Sequence, residues 1–167
     1  MAGVDALLER IVSGGQTGVD RAALDVAVEL GLPYAGWCPS GGWAEDLPEP
    51  PGLLARYPYL TETPSADPAQ RTRWNVRDSD ATLLVTAGQL LSAGTALTLA
   101  TAIELDRPLA VVDADRPASG LRDVRELLEQ LHDVRLNVAG PRESEAPGIY
   151  AASTALLSPL LAGLCDR

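Results

Sequence analysis

Residues 11–25 read Ile-Val-Ser-Gly-Gly-Gln-Thr-Gly-Val-Asp-Arg-Ala-Ala-Leu-Asp: an apolar strand, a glycine-rich turn and the start of a helix. That order is common, so the motif alone is a weak signal. A strand that passes through a tight turn into a helix is the opening of a βαβ unit, and such units build parallel sheets covered by helices. The same arrangement suits an anion. Gly14, Gly15 and Gly18 allow backbone N–H groups to approach a ligand closely, and the helix adds free N–H groups and the positive end of its dipole. The plainer role for these glycines is tight strand–helix packing.

The alternation continues along the chain. The first strand is expected at Arg10–Ser13. Next comes a helix over Val19–Leu30, whose Ala22, Ala23, Val26, Ala27 and Leu30 recur at helical spacing before Gly31 and Pro33 end it. A short strand follows at Tyr34–Trp37, then an irregular stretch over Cys38–Pro68, long enough to suggest a lid or binding loop. Ala69–Arg77 reads as helix, Ala81–Thr86 as strand, Gly88–Gly94 as a second loop and Thr95–Leu105 as helix. Leu109–Asp113 and Val134–Ala139 read as strands around a helix at Leu121–Leu131. The last helix, Ile149–Leu164, is expected to bend near Pro159. These elements predict one α/β domain over 1–167: a doubly wound, mostly parallel sheet with helices on both faces. In the order 2-1-3-4-5, the loops after the first and third strands face each other at the switch point, where such sheets bind ligands.

Several functions are excluded. The dinucleotide fingerprint needs Gly-x-Gly-x-x-Gly and an acid about 20 residues on, but Gly36-Trp37-Cys38-Pro39 stands there. All thirteen basic residues are arginine, so no Walker lysine exists. A formal charge of −10 opposes nucleic acid and anionic membranes, so an anionic ligand must be held by local geometry. Cys38 and Cys165 stand far apart, Cys38 reading as a small buried hydrophobe, and His132 is the lone histidine, so zinc or Cys–His chemistry is not expected. The N-terminus does not read as a signal peptide, and no apolar run nears the roughly 20 residues of a membrane span. A cytoplasmic location is expected.

The candidate ligand groups follow from the loops. Ser13, Gln16 and Thr17 can add side-chain hydrogen bonds to the first loop. Arg21 can pair with Asp20 or with a ligand. Arg71, Asn75 and Ser79 recur on one side of the helix before the third strand, which places a guanidinium and an amide near the crevice rim. Glu45 and Asp46, which follow Trp37 and Trp43 in the long loop, suit a flat nitrogen-rich ring or sit on a solvated rim. Gly94 and Thr95 open the second loop's helix.

Taken together, Ser13–Asp25, Gly36-Trp37-Cys38-Pro39, Ala44-Glu45-Asp46, Arg71-Thr72, Asn75-Val76, Asp78–Thr82 and Gly94-Thr95 resemble the molybdenum cofactor carrier proteins. The resemblance runs from about residue 10 to residue 113. It implies a Rossmann-like fold, a homo-oligomer (dimer or tetramer) and binding of molybdenum cofactor, with Ser13, Gly14, Gly15, Gln16, Thr17, Gly18, Arg21, Glu45, Asp46, Arg71, Asn75, Ser79, Gly94 and Thr95 as its site. It also implies kinship with the LOG proteins, which are nucleoside 5′-monophosphate phosphoribohydrolases, so a nucleotide is the alternative ligand. The hydrolase motif ends in a catalytic glutamate. Here Thr98 stands in its place, and a hydroxyl cannot do a carboxylate's acid–base work. A non-catalytic carrier of a small anionic ligand is the expectation. The apolar helices Ala96–Leu105 and Ala151–Leu164 are expected at subunit contacts.

Overall fold

The computed structural model describes residues 7–89 and 91–165. The elements are β1 (Leu8–Val12), α1 (Val19–Glu29), β2 (Tyr34–Cys38), α2 (Leu53–Arg56), β3 (Leu60–Glu62), α3 (Pro68–Arg77), β4 (Ala81–Thr86), α4 (Ala93–Glu104), β5 (Leu109–Asp113), α5 (Pro117–Glu129), β6 (Val134–Ala139) and α6 (Ile149–Cys165). All six strands run parallel in the order β3-β2-β1-β6-β4-β5. The fold is the Rossmann-like α/β sandwich that the alternation predicts. Among the described residues no helix is long and apolar enough to cross a membrane.

Two expectations change. The 38–68 stretch is not structureless. It holds a 3-10 turn at Ser40–Gly42, the short α2 and the edge strand β3, which packs around Leu24, Cys38, Ala44, Leu53, Tyr57 and Leu60 as a second small core. Four helical residues and three strand residues are too few for periodicity to register.

The second change concerns strand order. The last strand does not extend the sheet's far edge but inserts between β1 and β4, with Ile11 and Ala81 both opposite Leu136. The order 2-1-3-4-5 puts Val134–Ala139 at an edge. In the structure that strand is central, and the Arg135 guanidinium forks the Asp80 carboxylate, with Nε and Nη2 at 3.0 and 2.8 Å. α6 then lies beside α1, and runs through Pro159 as one helix.

The two faces of the sheet differ in kind. Ile11, Leu83, Val85, Val112, Leu136 and Val138 point to one face and meet α1, α5 and α6 in the main apolar core. Alternate positions point the other way, where α3 packs on β2 and α4 on β4. That layer is largely polar. Thr72, Thr82, Thr98 and Thr101 are buried there, and Thr72, Thr98 and Thr101 spend their hydroxyls on their own helix carbonyls four residues back.

As a result α4 is turned inside out. Its buried residues are Thr95, Thr98, Thr101 and Ala102, whereas Ile103 is 70% exposed, and Leu91 and Leu105 flank the helix in the open. The leucines of α6 do the opposite: Leu156, Leu157, Leu160, Leu161 and Leu164 all enter the core.

Candidate functional site

A crevice of about 270 Å³ opens at the carboxyl ends of the strands. Gln16 and Asp20 line it from the first loop and α1, Asp67 to Arg71 from the start of α3, and Ser92 to Gly94 with Thr98 from the start of α4. Because β6 lies between β1 and β4, a third segment enters as well: Ala139, Gly140, Arg142 and Glu145 complete the wall. The two glycine loops therefore do share a crevice, but they meet across the loop after β6 rather than directly.

Three helices thus begin at this cavity. α1 is capped by Gly18. Asp67 caps α3, its side chain accepting from the Ala69 N–H at 2.9 Å. Ser92 caps α4, accepting from the Thr95 N–H at 3.3 Å. The first N–H groups of a helix have no carbonyl one turn back and carry positive potential, but at α3 Pro68 has no N–H and Asp67 takes those of Ala69 and Gln70, and at α1 the Val19 N–H donates to the Pro141 carbonyl at 3.3 Å.

The first loop is already occupied by the protein itself. Asp20, its side chain 3% exposed, receives Arg71 Nη1 at 2.8 Å, and the Gln16 backbone N–H points to the same carboxylate. Burial pushes the Asp20 carboxyl above its ordinary value, opposed chiefly by the Arg71 guanidinium. Gly14 is explained by this pair, because a Cβ there would stand 1.8 Å from Arg71 Nη1. Gly15 faces Leu53 and Leu60, and Gly18 faces the backbone of Pro141 to Glu143. All three glycines serve close packing within the chain. Arg71 itself lines the crevice, and its Nε is buried without a hydrogen-bond partner.

The other candidates disperse. Ser13 is fully buried, its hydroxyl donating to the Asp20 carbonyl at 3.0 Å. Arg21 turns away and forks Asp46, both bonds at 2.8 Å. That hydrogen-bonded guanidinium holds the Asp46 carboxyl below its usual range. Glu45 ties three loops together: Thr17 Oγ1 and Ser144 Oγ donate to its carboxylate, the latter at 2.6 Å, and Arg142 lies 4.0 Å away. Partial burial pushes Glu45 up, but those hydroxyl donors and Arg142 prevail and hold it low. Thr17, Gly18, Arg21 and Asp46 border a separate pocket with Asp25 and Tyr150.

Asn75 and Ser79 do not line the crevice. Asn75 staples α3 to β2, accepting from the Trp37 N–H at 2.7 Å and donating to its carbonyl at 2.9 Å. Ser79 donates to the Asn75 carbonyl. Asn75 lies one turn after Arg71 on α3 but is spent on β2, and Ser79 lies beyond the helix's end at Arg77. Thr95 is buried against Ser92 as part of the α4 cap. Gln16, Arg71 and Gly94 remain as crevice residues that the sequence named. Arg142, Glu145 and Ser92 are additions. The signal for Arg142 was the Gly140-Pro141 turn directly after a strand, and strand order gave it meaning.

Beside the crevice, sharing Pro68, lies a shallow apolar site of about 360 Å³ with Trp43, Pro48 and Pro50. Arg142 sits over the Trp43 ring at 5.5 Å. Trp37 is elsewhere, donating through Nε1 to Asp78 at 2.8 Å and packed edge-on against Trp74.

The profile of one protein family matches residues 11–161. The chain belongs to the circularly permutated YpsA SLOG family. In three dimensions this SLOG protein is similar to one from Syntrophus aciditrophicus SB that carries the provisional name molybdenum carrier protein. The two share 39% identity and superpose with a TM-score of 0.83, over 93% of this chain and 96% of the other. No curated protein matches the chain. In this SLOG member Thr98 lines the crevice with its hydroxyl donated to the Gly94 carbonyl at 3.0 Å.

Proposed function

We propose that this SLOG protein is a non-catalytic carrier whose cargo is molybdenum cofactor, held by its anionic group. The observation that carries this reading is the convergence of three helix starts and two arginines, Arg71 and Arg142, on one crevice. A cavity of about 270 Å³ is small beside the roughly 300–1,000 Å³ of sites that enclose a whole organic ligand. It suits a terminal phosphate or oxoanion. A flat ring extending from that anion reaches the Trp43–Pro48–Pro50 site next door, where an aromatic face is available. The relative's provisional name, molybdenum carrier protein, supports a molybdenum-containing cargo.

A nucleotide has the same outline, phosphate plus flat ring, and is the second reading. Hydrolysis of its glycosidic bond is disfavoured. Thr98 holds the position of the LOG glutamate, and the crevice acids Asp20, Asp67 and Glu145 are committed to Arg71, a helix cap and Arg142.

Anaerobic calorimetry with molybdenum cofactor, AMP and molybdate tests the assignment. Micromolar binding of the cofactor is expected, and Trp43→Ala should weaken it about tenfold by loss of ring stacking while leaving molybdate binding unchanged. Binding of AMP alone would move the protein to the nucleotide reading, and release of adenine would overturn the carrier.

The same proposal includes a homo-oligomer built on α4. Ala93, Ala96, Ala100 and Ile103 repeat at i, i+3, i+7 and i+10, the seam that packs helix against helix. At its rim, exposed Arg73 and Glu104 lie 3.8 Å apart, a pair of opposite charges that a two-fold axis would make self-complementary. Ile103→Arg should convert the dimer to a folded monomer in sedimentation equilibrium, while Val28→Arg, on exposed α1 surface, should not. A wild-type protein that stays monomeric at high concentration would overturn the contact.

A further inference from the structure

The crevice that three helix starts make attractive to anions also contains a carboxylate of its own. Asp20 lies at the second position of α1, where the helix dipole favours negative charge. Its charge is met by one cation in contact, Arg71 at 2.8 Å, and by the Gln16 N–H. Arg71 is in turn the crevice cation with donors to spare: only its Nη1 reaches Asp20, and Nε is buried and unbonded. A ligand anion that engages those donors arrives next to a nearly sealed carboxylate. Two like charges at that separation cannot both persist at low dielectric, so one must take a proton.

We propose that Asp20 is a resident anion that gates the crevice, so that an oxoanion binds to Arg71 only as Asp20 takes up one proton from solvent. The inference rests on the anion-binding reading above. It names the residue that sets which anions, and at what pH, the crevice accepts. The proton balance is simple: one proton from water goes to the Asp20 carboxylate for each ligand anion bound, and it returns on release.

The surroundings leave Asp20 as the group able to respond. Around it are Arg71 from α3, the Gln16 N–H from the loop and Arg21 on α1, whose guanidinium is turned to Asp46. Asp67, Arg142 and Glu145 complete the charged lining of the crevice. Arginine guanidinium groups are not deprotonated in proteins. Asp67 is engaged as a helix cap, and Glu145 lies 3.9 Å from the Arg142 guanidinium. The chain's one histidine, His132, follows α5 and is not among the crevice residues. Burial raises the Asp20 carboxyl above its ordinary value, against the pull of Arg71.

Sulfate is the probe, because it stays a dianion across the whole range and contributes no titration of its own. Its affinity for the full chain is measured by calorimetry from pH 5 to pH 8, for wild type, Asp20→Asn and Arg71→Met. The expected wild-type affinity falls about tenfold per pH unit above the Asp20 pKa of the free protein. Asp20→Asn should bind sulfate equally well at all pH values, as tightly at pH 8 as wild type does in acid, and Arg71→Met should not bind it. Sulfate binding to wild type with a flat pH profile would overturn the gate and leave the anion site standing. Absence of sulfate binding in both wild type and Asp20→Asn would overturn the anion site instead. A ligand-free arm then decides the gate: the ¹³C carboxyl resonance of Asp20 in Arg71→Met should report a protonated group at pH 7. An ionised Asp20 in that variant would overturn the proposal.

Discussion

Arg71→Met is expected to lose about 3 kcal/mol of folding stability at pH 7.5, and clearly less at pH 5, in urea unfolding followed by circular dichroism. The side chains of Asp20 and Arg71 are 3% and 12% exposed, so methionine leaves a carboxylate almost without water and without its cation. Burial already raises the Asp20 carboxyl, and Arg71 is the main group holding it down. With the arginine gone, it rises further. The sign follows from linkage. A carboxyl whose folded pKa exceeds its unfolded value contributes its full stability below that unfolded value, about pH 4, and loses it as pH climbs through the folded one. Acid should therefore restore part of the variant's stability. An equal loss at both pH values would mean that packing, not charge, is what Arg71 provides. A loss under about 1 kcal/mol would place the pair among the weak surface bridges.

Gly18→Ala should be costlier still. Gly18 has φ 79° and ψ −129°, a conformation essentially restricted to glycine. A Cβ there would stand 2.3 Å from the Pro141 carbonyl oxygen and 2.8 Å from the Glu143 nitrogen. Both are backbone atoms, and the loop that holds them walls the crevice and is tied back to Thr17 through the Glu143 N–H at 3.2 Å. Loss of more than about 3 kcal/mol, or failure to accumulate folded protein, is expected from strain plus displacement of that loop. Gly163→Ala is the matched control. Nothing lies within 4 Å of its Cβ position in α6, so it should fold normally and gain up to about 1 kcal/mol from helix propensity. A Gly18→Ala protein as stable as wild type would show that the 141–143 loop yields freely, and would remove the argument that this glycine is structural.

The first glycine loop shows how a correct motif can carry the wrong detail. Strand, turn and helix stand where Ile11–Asp25 predicts them, and the crevice lies at their end. Yet Gly14, Gly15 and Gly18 make room for Arg71, for Leu53 and Leu60, and for the loop after β6. Each of those neighbours is distant in sequence, so no local pattern could announce it. Glu45 and Asp46 behave similarly. They read as ligand groups because carboxylates beside aromatic faces suit a flat nitrogen-rich ring, but their partners, Thr17, Ser144 and Arg21, come from other parts of the chain.

The sequence by itself determined the α/β class, most of the long elements and the absence of a glutamate at residue 98, because these depend on local periodicity, turn chemistry and side-chain identity. Strand order is different. A strand buried between two neighbours and a strand at an edge can carry the same alternation, since alternation reports which face a side chain takes and not which strand lies beside it. Only the tertiary structure decided that β6 stands between β1 and β4, and with it that the 139–145 loop and Arg142 enter the crevice. Only it could pair Asp20 with an arginine 51 positions away and seal the two together. Burial and pairing of charge belong to the packed chain, because desolvation depends on everything that surrounds a group and not on its neighbours in sequence.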